Sequence, residues 1–428
     1  MMGAMDGREA VAWLARRAAF GFMADERERR EQQGAGAWLA ELLDPDAAGV
    51  APSPDPFVDV EEVADPNDNR QRAAMTRLFV ERWIDQMVTT PRPLEEMMTW
   101  FWAGHFAVQQ EEVRSGRLMA DHVSLLRRHA LGNVRDLVRA VTTDPAMLLF
   151  LDGATSTAKA PNENYARELL ELYTLGIGHF DEPDVQAAAA ALTGWTVRRA
   201  DPRRAVFVAN RHDARPRTLF GRAVADVDSV VDAAVSHPAC APLIAREVAT
   251  FFLGSAAAER SVSRYATVLR SAGMELRPLV RAVLEDGIAN GGDRVVRSPV
   301  AWWVAVRKAL GVAPAAAAVQ RALRSGGQVP ASPPNVGGWP PPTAWLGASA
   351  TAARVELAVL AADAVAARSP VLGQAAAGDA LALGRLLAVP GGLSDSTATA
   401  MRGLGACGAR PGTGALAVAL ASPDVAVG

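Results

Sequence analysis

"APNENYARELLELYTLGIGHF", residues 160–180, is the stretch on which the reading of the whole chain turns. Pro161 and Asn162 read as a helix start. On a 3.6-residue helix, Asn164, Arg167, Glu168 and Glu171 form one stripe, while Tyr165, Leu169, Leu172 and Gly176 form another with Leu170 and Tyr173 beside it. An apolar stripe of that kind predicts a helix over 162–176 docked on a core. The polar stripe has two readings. It is a solvated face on which Glu163 and Arg167 make an i,i+4 pair, worth roughly a few tenths of a kcal/mol. Alternatively it lines a cleft in which Glu168 and Glu171, beside Asn164 and Arg167, divide acid and base roles between two carboxylates.

The same periodicity extends outward in both directions. It predicts helices over 7–20, 27–43, 69–89, 92–108, 114–131, 133–143 and 181–193, then over 226–236, 240–253, 258–272, 275–286, 299–311 and 315–325. Three segments break it. Residues 47–68 carry Pro52, Pro54, Pro56 and Pro66 among acidic residues and read as an exposed loop. Residues 195–221 alternate apolar and polar around Asp201-Pro202, which predicts a β-hairpin or a long structured loop. Residues 326–347 hold too much Pro and Gly for a helix or a central strand, and a long irregular segment inside a domain is more often functional than filler. The expected architecture is mainly α: one large multi-helix body over 1–428, with a small β excursion near 195–221 and an Ala/Gly-rich helical extension over 361–428.

Composition excludes several classes of function. The 428 residues are 50% hydrophobic and 21% charged, which is ordinary for a folded chain and excludes global disorder. A net charge of -3 gives no electrostatic case for a nucleic-acid partner. Cys240 and Cys407 are far apart and have no motif partner, so they predict two free thiols and no zinc-site spacing. No run of about 18 apolar residues predicts a membrane span. Asp6, Glu9, Arg16 and Arg17 interrupt the N-terminal apolar run, so the sequence as written reads as cytoplasmic, with no signal peptide. Dinucleotide, P-loop, nucleophile-elbow and H-E-x-x-H motifs are absent.

"PNENYARELLELYTLGIG", followed by "DVQAAAAALTGWTV" at 184–197, resembles the signature of the bacterial domain-of-unknown-function family numbered 1800. "LARRAAFG" at 14–21, "FWAGHF" at 101–106, "HDARPRTLFG" at 212–221 and "PPNVGGW" at 333–339 are similar to its other motifs, in order, so the resemblance spans about 8–360. It implies a largely helical, uncharacterised protein. It also implies frequent export and, as a candidate partner, the product of a neighbouring gene of family 1501, which resembles phosphatases and sulfatases. The chain departs from the family pattern at Gly104, where Asn is common, and at Arg217, where the basic residue is Lys. Pro242 and Glu247 stand at positions that are basic in the family. If those positions bind an anion in other members, the departures change that binding here.

A fixed Asn-Glu-Asn-x-x-Arg-Glu order favours a hydrogen-bonded cluster over a solvated face, because each donor must meet its acceptor. The sequence therefore predicts an enzyme with a polar cleft, performing hydrolysis or group transfer on a sugar- or anion-bearing substrate. Glu168 is the expected acid or base, Glu163 its partner and His105 a second proton carrier. Asn162, Asn164, Arg167, Glu171, His212, Asp213, Asn335 and Trp339 are the expected substrate contacts, with Asp213 a candidate to orient the His212 imidazole. No cofactor is predicted, although His105, His212, Asp213, Glu163 and Glu168 have the chemistry to take a zinc- or manganese-like divalent metal. The alternatives are a binding or assembly module for another protein, and a structural helical protein whose polar motif is a buried network. The enzyme reading further expects His105, Asn164, Glu168 and His212 within roughly 12 Å of one another around a water-accessible cavity, as a shared ligand pocket requires, with 326–346 on its rim.

Overall fold

The motif helix starts at Asn164 and changes pitch within itself. Asn164–Glu168 is α-helical, and Leu169–Thr174 continues as a π-helix. Its i→i−5 bonding appears in Leu175 N–H donating to Leu170 O at 3.0 Å, and the Thr174 side-chain hydroxyl also donates to Leu169 O. The apolar stripe does what its spacing predicts: Tyr165, Leu169, Leu170 and Tyr173 are buried. π turns are rare and recur at functional sites.

The computed structural model describes residues 5–65, 67–198 and 201–428. Pro66 of the expected loop, and Arg199 and Ala200 of the expected hairpin, lie outside them. Helix accounts for 61% of the described residues. Helices start where caps allow. Asp6 and Asp181 close capping boxes, Asp68 caps Asn69–Thr89, and Ser298 caps Pro299–Leu310 with Pro at the first helical position. The 27–43 pattern is two helices, Arg27–Gln33 and Ala35–Leu43, because Gly34 turns at φ +81° between them. A short helix, Pro145–Phe150, was not foreseen.

The β excursion is two small sheets. Trp195–Arg198 pairs antiparallel with Asp201–Phe207, and Arg217–Leu219 with Arg222–Val224. Within the Pro-rich 47–68 segment, Phe57 and Val60 are buried, so that loop is pinned to the body. One hydrophobic cluster runs from Ala10 to Val425, centred on buried Trp38, Trp83, Trp102, Trp302 and Trp303. The last residues return to the middle of the chain: Val295 N–H donates to Gly428 O, Gly428 N–H to Val295 O, and Arg297 N–H to Ala426 O. Among the described residues no helix is long and apolar enough to cross a membrane.

Candidate functional site

Five segments converge on one cavity of about 480 Å³. The helix Pro93–His105 brings Trp100, Phe101, Gly104 and His105 from its last turns. The helix Cys240–Leu253 contributes Glu247, Thr250 and Phe251, one face at i, i+3, i+4. Arg16 and Arg17 come from the helix Gly7–Ala18, and Val295–Ser298 runs along the same wall. The irregular 326–346 segment forms the rim through Gln328, Gly337, Trp339, Pro340, Pro341, Pro342 and Trp345.

That rim is held by close backbone approach. Gly338 adopts φ +83°, and a Cβ there would collide with the Gly104 carbonyl oxygen. A Cβ on Gly104 would meet Trp339 Cδ1 at 3.4 Å, an ordinary contact. The close approach at Gly338 lets Trp339 stack on Trp100, with centroids 6.2 Å apart and planes at 19°. Gln328 Oε1 accepts the Val300 N–H at 2.9 Å, one of the donors a helix N-terminus leaves unpaired.

His105 joins two motifs. Its Nε2 lies 3.1 Å from the Tyr173 carbonyl, at the end of the π turn. A carbonyl oxygen only accepts, so Nε2 carries the proton and Nδ1 holds the lone pair. Burial pushes the imidazole down to about 4, against the smaller opposing effect of the Tyr173 bond, so it is neutral at physiological pH. Glu247 makes no hydrogen bond or ion pair among the described residues, and burial raises its carboxyl, partly offset by Arg246. The cavity thus holds an imidazole kept unprotonated and a carboxyl inclined to keep its proton.

The other sequence candidates lie elsewhere. Arg167 binds Glu182, at 2.7 Å, and Glu163, at 3.2 Å, in an exposed ion-pair group. Asn162 Oδ1 accepts the Asn164 N–H at 2.8 Å, a local turn at the helix start. Glu168 is half-buried, and burial with the Glu171 charge raises its carboxyl. None of these five, nor Glu171, lines the large cavity. His212 lines a separate cavity of about 230 Å³ with Trp195, Phe207 and Arg139. Its Nδ1 donates to Thr193 O at 2.9 Å. The buried Asp213 carboxylate turns to Arg215 and Arg217, whose hydrogen bonds hold it well below the usual carboxylate range, and does not orient His212. Asn335 Oδ1 accepts the Gly337 N–H at 2.9 Å and shapes the rim turn.

Of the expected four-residue pocket, only His105 reaches the large cavity, where it meets Trp339. The 160–180 motif reaches that cavity through Leu172 and touches His105 through the Tyr173 carbonyl, whereas His212 lines the other cavity. Among the described residues no three His, Cys, Asp or Glu side chains gather closely enough to hold a metal ion. Cys240, buried, and Cys407, exposed, are both free thiols. Sequence reasoning missed Glu247, Arg16, Arg17 and Arg297 as cavity residues. Arg16 and Arg17 lay inside the quoted "LARRAAFG", Glu247 was named only as a departure from the family pattern, and Arg297 had only its place before the Ser298-Pro299 helix start as a signal.

A family model described as "Protein of unknown function (DUF1800)" matches residues 13–427, reaching well past the last motif at 333–339. No curated protein and no solved structure matches the chain.

Proposed function

The chain belongs to the DUF1800 family, whose function is not known, and we propose that this member is an enzyme that binds a small polar molecule in the His105–Trp339 cavity and carries out hydrolysis or group transfer on it. The observation that carries this reading is the pairing, in one aromatic-walled cavity, of the neutral His105 imidazole with the unpartnered Glu247 carboxyl. Two titratable groups whose environments push their protonation apart are the usual arrangement for acid–base work. Glu247 donates a proton to the leaving group. His105 Nδ1 accepts the proton of the attacking water or hydroxyl, while Tyr173 O fixes the ring through Nε2. The stacked Trp339 and Trp100 rings form a platform for a sugar or aromatic body. About 480 Å³ is the size of an ordinary small-ligand site.

Glu168 and Glu163, the acid–base pair expected from the sequence, do not line this cavity and take no part in this reading.

The test is turnover of p-nitrophenyl conjugates (acetate, phosphate, sulfate, glucoside), followed by release of p-nitrophenolate. One conjugate class is expected to turn over, and Glu247→Gln and His105→Gln are each expected to slow it by about 100-fold or more, as for loss of a general acid or base. Turnover that survives both substitutions would remove the cavity from the chemistry.

A further inference from the structure

The cavity has a strongly basic end. Arg16 and Arg17 are adjacent on the Gly7–Ala18 helix, and Arg297 enters from the strand-like 295–297 segment that pairs with 426–428. Arg16 and Arg17 are partly spent on the chain itself. Arg16 Nη2 donates to Val427 O at 2.7 Å, and Arg17 Nη2 donates to Asp293 O at 2.5 Å and Gly428 O at 2.6 Å. The Arg16 Nε is buried with no partner. Arg297 is less satisfied still: its guanidinium makes no hydrogen bond and no ion pair among the described residues, and its Nη2 is buried and orphaned.

This arrangement is costly for an empty protein. Guanidinium groups stay charged, and a buried charge without a counter-ion is strongly destabilising. Burial pushes Arg16 down to about 10, helped by the charges of Arg17 and Arg294. Burial likewise depresses Arg297 well below its usual range, with Arg16 and Arg17 adding to the effect. The one carboxylate that favours the cluster is Asp293, through Arg17, and its own Oδ2 already accepts the N–H groups of Ala256 and Ala257. Glu247 does not offset the cluster, since the charge that acts on it is Arg246. The unpartnered Arg297 guanidinium and the orphaned Arg16 Nε therefore present unsatisfied positive donors at a cavity with an aromatic wall.

Resting on the reading of this cavity as the substrate site, we propose that the Arg16–Arg17–Arg297 end is an oxyanion subsite and that the substrate is a phosphomonoester, its dianion seated on Arg297 and its organic body on Trp339. A phosphate supplies the acceptors that orphaned Arg297 Nη2 and Arg16 Nε lack, in the forked geometry that guanidinium groups recognise. The Glu247 carboxyl, felt by none of the three arginines, is left for the bridging oxygen.

The experiment compares phenyl phosphate, phenyl sulfate and phenol by calorimetric titration, with inorganic phosphate in thermal-shift assays against chloride at matched ionic strength. Phenyl phosphate is expected to bind tenfold or more tightly than phenol, about the effect of one charge-assisted hydrogen bond, with phenyl sulfate between them. Inorganic phosphate is expected to raise the melting temperature saturably where chloride does not. Arg297→Met is expected to abolish both preferences, leave phenol binding unchanged and raise the melting temperature of the ligand-free protein. The wild-type comparison stands even if that variant fails to fold. Equal binding of phenol and phenyl phosphate overturns the subsite while sparing the cavity. Equal binding of the sulfate and the phosphate overturns the phosphomonoester assignment. Failure of all three ligands to bind overturns the cavity reading itself.

Discussion

Gly338 passes so close to Gly104 that a side chain on Gly338 would collide with the Gly104 carbonyl oxygen. This contact joins "FWAGHF" to "PPNVGGW" and sets Trp339 on Trp100, so the rim of the cavity depends on it. Gly338→Ala introduces a Cβ at φ +83° against the Gly104 carbonyl. It is expected to cost about 1–3 kcal/mol, the range for a strained backbone conformation, in urea denaturation. An unchanged midpoint would mean that the approach does not constrain the rim.

Glu168→Gln separates a solvated stripe from a buried network. Burial and the Glu171 charge raise the Glu168 carboxyl, and the side chain has no hydrogen bond among the described residues. Its replacement is expected to change stability by less than about 0.5 kcal/mol, as for surface sites. A loss of about 3–5 kcal/mol, the usual result of breaking a buried charged network, would show that the stripe is structural.

His105 gives a signed pH dependence. Its folded pKa, about 4, lies below the ordinary 6.5, so the unfolded chain binds more protons between those values. Its contribution is fully present above pH 6.5 and is lost as pH falls through about 4. At about 1.4 kcal/mol per pKa unit the window spans roughly 3 kcal/mol as an upper figure. Chemical denaturation from pH 4 to 7 is expected to show a flatter slope for His105→Gln than for the wild type. Parallel profiles would place the imidazole in a solvated setting.

The two thiols differ in reach. Cys407 is exposed, whereas Cys240 is buried and its thiol is pushed up to about 12 by burial. One thiol per chain is expected to react with Ellman's reagent in native buffer and a second only in denaturant. Rapid reaction of both would require Cys240 to be accessible.

Legibility in the sequence followed the range of the forces involved. Asn69–Thr89 and Cys240–Leu253 have the ends that periodicity predicted, because caps and apolar spacing are local. The break at Gly34 was missed because a lone glycine is tolerated within a helical pattern. The π turn at Leu169–Thr174 was hidden because its residues also fit an α-helical period. The 326–346 rim was legible from its proline and glycine, and Trp339 and His105 from their motifs. The polar residues of 162–171 were the most conspicuous charges in the sequence, yet among the described residues Arg167 pairs only with Glu163 and Glu182, and Asn162 with its near neighbours Asp152, Ser156 and Asn164. Arg297 was the least conspicuous, because its setting is made by residues 426–428 and by Arg16 and Arg17, far away along the chain. Arg16 and Arg17 were noticed only as interruptions of an apolar run, and Glu247 only as a departure from a motif.

Hydrogen–deuterium exchange with and without saturating phenyl phosphate tests the central claim most directly, because it locates the ligand without assuming a reaction. Protection concentrated in 101–106, 295–301 and 328–345 is the result expected if the His105–Trp339 cavity is the functional site. Protection confined to 162–171, or to the His212 cavity around 193–213, would contradict it and return the site to the polar motif or to the β excursion.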